Sequence, residues 1–212
     1  PRSTLFPYTT LFRSIAEVGA GGGSIVRIDP GGALRVGPES AGADPGPACY
    51  RQGGTDATVT DANVVLGYIN PTAIAGGTVD VDLEAAREAL DTSAAKQLGI
   101  DANDAAYGVY AVANTTMIRA IKSVTTFRGR DPRDFTLMAF GGSGPVHAAH
   151  IARSLGIRQI IVPGSPDVFS ALGLLEALPE YGFSRTLIAD PAQIGADAVI
   201  DAFDQLESSS LE

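Results

Sequence analysis

Two short apolar runs near the start of the chain predict a β-hairpin. Residues 24–29 (SIVRID) and 33–37 (ALRVG) alternate apolar and polar side chains on either side of Pro30-Gly31-Gly32. Alternation with a period of two is typical of a half-buried strand, and a glycine-rich break of this length reverses the chain. Asp29 precedes the break, and we interpret this acidic residue as part of a plain hairpin turn.

The middle of the chain has helical periodicity. Asp82 is the predicted N-cap of a helix that runs to about Leu98, and Gly99 lies where a C-terminal glycine is common. A second helix is predicted over residues 103–126. Its apolar residues recur at spacings of three and four, as expected of one buried face. They are Val109, Val112, Ala113, Met117, Ala120, Ile121 and Val124.

A strand, a turn, a helix and a second strand follow in residues 135–163. Residues 135–140 (FTLMAF) and 159–163 (QIIVP) predict buried strands, and residues 146–155 predict a helix with Pro145 at its first position. This order implies a crossover that places the two strands side by side and parallel. Farther on we expect a helix over residues 169–178, an exposed strand near 183–188 and a helical, acidic tail.

Composition limits the classes of function. The chain has 212 residues, is 45% hydrophobic and carries a net charge of −9, so we expect a packed core. Its acidic balance disfavours binding to nucleic acids or to anionic membranes. The sequence has a single cysteine, no secretory signal and no apolar run near the roughly 20 residues of a membrane helix. We therefore expect a cytoplasmic protein.

Two glycine turns are the main candidates for ligand binding. The 141–144 turn (Gly141, Gly142, Ser143 and Gly144) lies between a predicted strand and a predicted helix, where open backbone and the helix N-terminus suit a nucleotide. The 21–24 turn (Gly21, Gly22, Gly23 and Ser24) offers main-chain donors that suit an anion. A tight turn without a ligand and a flexible hinge are the respective alternatives. Neither turn fits a dinucleotide-binding fingerprint or a P-loop.

Other polar residues leave alternatives open. Thr60 is predicted to cap a short helix over residues 61–67, where Asp61 could orient a metal-bound water, polarise a substrate or only complement the helix dipole. His147 and His150 share a helix face and could bind a metal, although His147 fits a polar contact near the glycine turn better. Cys49 has no histidine in its own segment to activate it.

Several long motifs, in order, resemble the ATP-dependent A-type subunits of the hydantoinase/oxoprolinase family. That family includes N-methylhydantoinases, 5-oxoprolinases and acetone-carboxylase subunits. The matching stretches are residues 18–25 (VGAGGGSI), 36–50 (VGPESAGADPGPACY), 59–67 (VTDANVVLG), 113–124 (ANTTMIRAIKSV), 131–148 (DPRDFTLMAFGGSGPVHA) and 160–175.

The resemblance implies an α/β fold like that of actin, sugar kinases and chaperone ATPases (ribonuclease H-like), present here only in part. It implies ATP and Mg²⁺ as cofactors of the whole protein, a cyclic amide as small-molecule substrate, and a B-type partner subunit. Gly141, Gly142, Ser143 and Gly144 would form the adenosine side, with His147 beside them. Gly21, Gly22, Gly23 and Ser24 would lie near the phosphates or the domain hinge. Asp61 and Asn63 would face the cleft as catalytic residues. The metal ligands are not identified.

Departures from the family pattern predict a fragment that is inactive alone. The Asp-x-Gly-Gly-Thr segment and a second phosphate-binding turn are missing, Arg51 replaces a usual glycine, and Ser143 replaces a usual alanine. Residues 1–14 read as translated adaptor sequence, residues 15–190 as the C-terminal part of the ATPase-like domain, and residues 191–212 as a tail. A carboxylase subunit that acts on a ketone and a non-catalytic assembly or regulatory module are the alternative functions.

Overall fold

The structure is a computed structural model that describes residues 15–72, 79–177, 183, 184, 186 and 195–210. It contains both helices and sheets, which confirms the predicted mixture. The elements, in chain order, are β1 (Ser24–Ile28), β2 (Leu34–Ser40), α1 (Val59–Val65), α2 (Leu83–Leu90), α3 (Ala102–Val124), β3 (Leu137–Met138), α4 (Gly144–Leu155), β4 (Ile160–Ile161), α5 (Phe169–Glu176) and α6 (Ala196–Ser210).

Strands β1 and β2 form the predicted antiparallel hairpin. Val26 pairs with Val36 in its register, and both are buried. Asp29 Oδ1 accepts hydrogen bonds from the backbone of Gly31 and Ala33, each at 2.9 Å, and thereby closes the turn. The interpretation of Asp29 as a hairpin residue is confirmed.

Helix α1 begins two residues earlier than the sequence indicated. Its N-cap is Thr58 rather than Thr60, and Thr58 and Asp61 form a reciprocal capping box. In that arrangement the hydroxyl of the cap accepts from the third helical amide while the acidic side chain accepts from the amide of the cap. Thr60 therefore lies inside the helix, and its hydroxyl is available for a contact elsewhere.

Helices α2 and α3 are close to the prediction. Asp82 caps α2, which continues through a π-helical segment, Asp91–Ala95, and a last turn that ends at Gly99. Helix α3 is capped by Asp101. Its predicted apolar face is buried over the first half, whereas the residues from Met117 onward are only half-buried.

The core lies between the β1–β2 hairpin and helices α1, α2 and α3. Small residues dominate it, because close helix packing leaves little room beyond a methyl group. Its fully buried alanines are Ala57, Ala62, Ala86, Ala94, Ala95, Ala105, Ala106 and Ala113.

The predicted parallel pair is confirmed, but its strands are shorter and more exposed than predicted. Leu137 pairs with Ile160 and Met138 with Ile161. Met138 is 45% exposed and Ile161 is 47% exposed. The expectation of buried strands is therefore wrong for this chain, since only two strands form this sheet in the described part. Helix α4 begins at Gly144, which puts Pro145 at its second position rather than its first.

The chain divides into two compact units, Pro1–Ser170 and Ala171–Glu212. Every site residue considered below belongs to the first unit. Helix α5 ends at Glu176, two residues before the predicted end, and α6 forms the helical part of the predicted tail. Residues 1–14, most of the strand predicted near 183–188 and the boundary predicted at 190 lie outside the described residues. In the part of the chain that is described, no helix is both long enough and apolar enough to cross a membrane.

Candidate functional site

The 141–144 turn is open backbone. A Cβ atom built on Gly141, Gly142 or Gly144 would have no heavy atom within 4 Å. Gly141 has a φ of 86°, a left-handed conformation that favours glycine, and its N–H donates to Pro166 O at 2.6 Å. Gly144 begins α4, so the positive end of the helix dipole lies at the turn. Main chain at this position can therefore be approached closely by a flat or negatively charged group.

The 21–24 turn is closed by two hydrogen bonds between its first and last residues. Ser24 N donates to Gly21 O at 3.0 Å, and Gly21 N donates to Ser24 Oγ at 2.9 Å. Two of its four amides are thus engaged within the turn, so it offers an anion fewer donors than the sequence suggested.

The two glycine turns meet, which the sequence did not indicate. A Cβ atom built on Gly22 would lie 3.6 Å from Ser143 Cβ and 2.8 Å from Thr60 Oγ1. The absence of a side chain at Gly22 therefore lets the turn lie against both residues. Residues of the 21–24 turn and of the 141–144 turn, which are far apart in the sequence, therefore lie next to each other.

Helix α1 contacts the 21–24 turn and the helix that follows the 141–144 turn. Thr60 donates two hydrogen bonds to Gly22 O, from its N–H at 2.8 Å and from its hydroxyl at 3.0 Å. Asn63 Nδ2 lies 3.4 Å from His147 Nε2, in the first turns of α4. The side chains of Thr60 and Asn63 are both buried, so water competes little for these contacts.

His147 is an uncharged group at neutral pH. Its side chain is 0% exposed, and burial lowers its pKa to about 4, with a smaller contribution from the charge of His150. Its ring stacks on Tyr110 with a centroid distance of 5.2 Å, while His150 contacts the same ring edge-on at 5.4 Å. The polar contact predicted for His147 is therefore made to Asn63, inside the protein.

Three buried polar atoms around this junction have no hydrogen-bond partner among the described residues. They are Asn63 Oδ1, Ser143 Oγ and His147 Nδ1. An unpaired buried polar atom costs about 1–3 kcal/mol, so such atoms are uncommon and are often found where a further polar group binds.

Asp61 does not present a free carboxylate. Its side chain is 0% exposed. Its Oδ1 accepts from Cys49 N at 2.8 Å, and its Oδ2 accepts from Thr58 N at 2.8 Å and Thr58 Oγ1 at 2.7 Å. These bonds fix the loop of Cys49 to α1 and favour a structural role over contact with a substrate. A direct catalytic role for Asp61 or for Asn63 stays a prediction.

The loop that contains Cys49 and Arg51 is anchored to α1 and to the start of α2. Besides the bond to Asp61, Cys49 O accepts from Asp82 N at 2.8 Å, and Asp82 forms an ion pair with Arg51. Arg51 has a φ of 55°, a left-handed conformation that favours glycine. Cys49 is fully buried, and burial, then the charge of Asp61, raises the pKa of its thiol. These properties do not suit a nucleophile.

Sequence reasoning missed Thr58 and Tyr110 as parts of the site and gave Thr60 the role of a helix cap. The Thr58-x-x-Asp61 spacing is a capping-box signal and could have placed the helix start correctly. Nothing in the sequence pairs Tyr110 with His147. A surface cavity of about 380 Å³ lies elsewhere, lined by Arg51 and residues 80–84. In the described ranges, no group of three or more His, Cys, Asp or Glu side chains is arranged to hold a metal ion.

Comparison with known proteins gives the family. The sequence profile of the hydantoinase/oxoprolinase family matches residues 6–181, beginning inside the segment that we expected to be non-native. The chain is 42% identical over 173 residues to the caprolactamase subunit alpha of Pseudomonas jessenii, which covers 82% of this chain and 25% of that protein.

Two solved structures are similar over most of the chain. The nucleotide-free structure of acetone carboxylase, from work on the mechanism of ATP-dependent acetone carboxylation, matches with a TM-score of 0.73 and 32% identity over 90% of this chain. The crystal structure of ATP-dependent caprolactamase from Pseudomonas jessenii matches with a TM-score of 0.70 and 36% identity over 91%. This chain spans 28% of the length of each. The open 141–144 turn and these similarities together show that the chain belongs to the hydantoinase/oxoprolinase family.

Proposed function

We propose that this chain contributes the adenosine side of the ATP site in an enzyme that opens cyclic amides. The observation that carries the proposal is the open backbone of Gly141, Gly142 and Gly144 at the N-terminus of α4. A side chain at any of these positions would fill the space in which a nucleotide would lie. The actin-like arrangement implied by the family belongs to the same proposal.

The residues present fit part of an ATP site. The backbone of the 141–144 turn would lie against adenosine, and the 21–24 turn, in contact with Ser143, would lie toward the phosphates or the domain hinge. His147 would support the turn from within, as an uncharged ring. When bound, ATP would supply a phosphoryl group that activates the carbonyl of the substrate. For Mg²⁺, no group of three or more His, Cys, Asp or Glu side chains is arranged to hold an ion in the described ranges, and Asp61 is bonded within the protein, so we assign no ligand to it.

The remaining features concern the whole protein. We propose a small cyclic amide as the substrate, because caprolactamase is a relative and the family is that of hydantoinases and oxoprolinases. That relative is named as a subunit, which supports a partner subunit, of the B type in our proposal. We further propose a cytoplasmic location, and we expect this chain to have no activity without the remainder of the enzyme.

A carboxylase subunit is the second candidate, and one observation favours it. The acetone carboxylase structure superposes on this chain at least as well as that of caprolactamase, with TM-scores of 0.73 and 0.70. The two candidates share ATP and differ in substrate and reaction: one breaks the C–N bond of a cyclic amide, and the other adds a carboxyl group to a ketone.

The test uses the full-length protein that contains this chain, with its partner subunit. Purified protein is assayed with ATP against 5-oxoproline, hydantoins, caprolactam and, with bicarbonate, acetone. Release of ADP that depends on a cyclic amide supports the proposal, whereas ADP release that depends on acetone and bicarbonate supports the carboxylase. No ATP binding and no ADP release with any of them would contradict both.

Two matched variants test the role of the turn itself. Gly142→Val adds a side chain to the turn, and Gly164→Val adds the same side chain at a position that is equally open and lies outside the turn. We expect Gly142→Val to weaken ATP binding by about tenfold or more, an energy of about 1.4 kcal/mol, and Gly164→Val to leave it unchanged. Equal effects of the two variants would contradict an adenosine contact at the turn.

A further inference from the structure

We propose that helix α1 sets the position of the two glycine turns relative to each other, with Thr60 and Asn63 as its positioning residues. The functional part of this inference rests on the proposed nucleotide site. Its structural part, that α1 holds the turns, can be tested without a nucleotide.

The first step is the spacing of the two residues on α1. Thr60 and Asn63 are three positions apart, and residues at this spacing lie on one face of a helix. Thr60 is bonded to the 21–24 turn through Gly22 O. Asn63 contacts His147, which lies one helical turn beyond Ser143 of the 141–144 turn. One face of α1 therefore contacts the 21–24 turn directly and contacts α4, the helix that follows the 141–144 turn, through His147.

The second step is the rigidity of α1. All seven of its residues are buried, and it packs against α2 and α3. The capping box between Thr58 and Asp61 fixes its N-terminus, and Asp61 also binds Cys49 N. A short helix held in this way cannot shift toward one turn without straining its contact with the other.

The third step is the direction of the contact between Asn63 and His147. The Asn63 amide nitrogen can only donate, so His147 Nε2 is the acceptor of this contact. Stacking on Tyr110 of α3 holds the ring of His147 in place. Asn63 and Tyr110 together therefore fix the position of His147, four residues beyond Ser143 in α4.

The fourth step separates positioning from direct action. Asn63 and Thr60 are 0% and 6% exposed, so neither is placed to touch a ligand that lies on the exposed face of Gly142. Their effect on a nucleotide would pass through Gly22, Ser143 and His147. This assigns Asn63 a role different from the catalytic one that the sequence suggested.

The experiment uses the full-length protein, four single variants and one double variant. Thr60→Val removes the hydroxyl at nearly constant shape, Thr60→Ser retains it, and Asn63→Leu removes the amide at similar volume. Asn103→Ala, on the exposed surface of α3, is the matched control. Hydrogen exchange of the backbone amides of residues 21–24 and 141–147 is measured without nucleotide, and KM for ATP and kcat are measured in the turnover assay.

We expect Asn63→Leu to raise the exchange rate of the amides in residues 141–147 by about tenfold. Thr60→Val should raise the rate by a similar factor, mainly in residues 21–24. This factor corresponds to the free energy of about one buried hydrogen bond. KM for ATP should rise about tenfold in both, with kcat changed by less than about twofold. Thr60→Ser and Asn103→Ala should match the wild type. We compare variants by the free energies that correspond to their changes in KM for ATP. The double variant Thr60→Val/Asn63→Leu should lose less binding free energy than the two single variants together, because either substitution alone already separates the turns.

The opposite results would overturn the inference. If Asn63→Leu folds and leaves exchange in residues 141–147 unchanged, or if the two substitutions are strictly additive, α1 does not couple the turns. Should Asn63→Leu fail to fold, the comparison of Thr60→Val with Thr60→Ser decides in the same way. If the wild type does not bind ATP, the proposed function fails, while the exchange data still decide whether α1 positions the turns.

Discussion

Gly22 and Ser143 lie against each other although they come from opposite halves of the chain. A methyl group on Gly22 would be 3.6 Å from Ser143 Cβ, an ordinary contact, but only 2.8 Å from Thr60 Oγ1, closer than real Cβ atoms come. The hydroxyl cannot move away freely, since it donates to Gly22 O. The junction of the two turns thus depends on a missing side chain.

Gly22→Ala should therefore destabilise the protein. We expect a loss of about 1–3 kcal/mol in the free energy of unfolding, as for other insertions into a packed site. Gly21→Ala is the matched control, because a Cβ there meets nothing within 4 Å. Urea denaturation of the two variants checks this, and equal midpoints would show that Gly22 is not packed tightly against Thr60.

Asp61→Asn should destabilise the protein more than Asp101→Asn. The carboxylate of Asp61 accepts hydrogen bonds from three donors in the interior. The amide of asparagine would place its own N–H groups opposite at least one of these donors, and that hydrogen bond would be lost. Bonds to a buried charge contribute about 1.5–3 kcal/mol each, so we expect a loss of at least about 2 kcal/mol. Asp101 caps α3 at an exposed position, where asparagine caps equally well. Similar unfolding free energies for the two variants would contradict this account of Asp61.

His147 should make stability depend on pH between about 4 and 6.5. Burial lowers its pKa in the folded protein from an ordinary 6.5 to about 4, so the unfolded chain binds the proton more tightly. This contribution to stability is fully present above pH 6.5 and is lost as the pH falls toward 4, at about 1.4 kcal/mol per pH unit.

His147→Gln should reduce the slope of the unfolding free energy against pH by the amount that corresponds to about one bound proton. His150→Gln, which keeps His147, should leave the slope unchanged. Chemical denaturation across pH 4 to 7 gives the slopes. A wild-type slope that His147→Gln leaves unchanged would show that another group titrates.

Cys49 should resist thiol reagents in the folded protein. It is 0% exposed, and burial followed by the nearby charge of Asp61 raises the pKa of its thiol. Since the reactive form is the thiolate, we expect labelling by a maleimide or an aromatic disulfide to follow the unfolding rate. As the chain has one cysteine, the readout is unambiguous. Rapid labelling of the native protein at pH 7 would contradict the buried position.

Local features of the fold could be predicted from the sequence. The β1–β2 hairpin, the Asp82 cap, the length of α3 and the parallel pairing of β3 with β4 each depend on neighbouring residues, whose periodicity and turn chemistry are visible in the chain. The predicted start of α1 is two residues late because it takes Thr60 as the cap, although the spacing of Thr58 and Asp61 is that of the capping box that the structure contains.

The family resemblance and the open character of the 141–144 turn were also determined by the sequence, since glycine removes the side chain whatever surrounds it. The tertiary structure alone decided that Gly22 meets Ser143, that Asp61 is engaged inside the protein, and that Asn63 reaches His147. These relationships join residues far apart in the chain, and their strength comes from burial, which excludes water and leaves each polar atom only the partners that packing supplies.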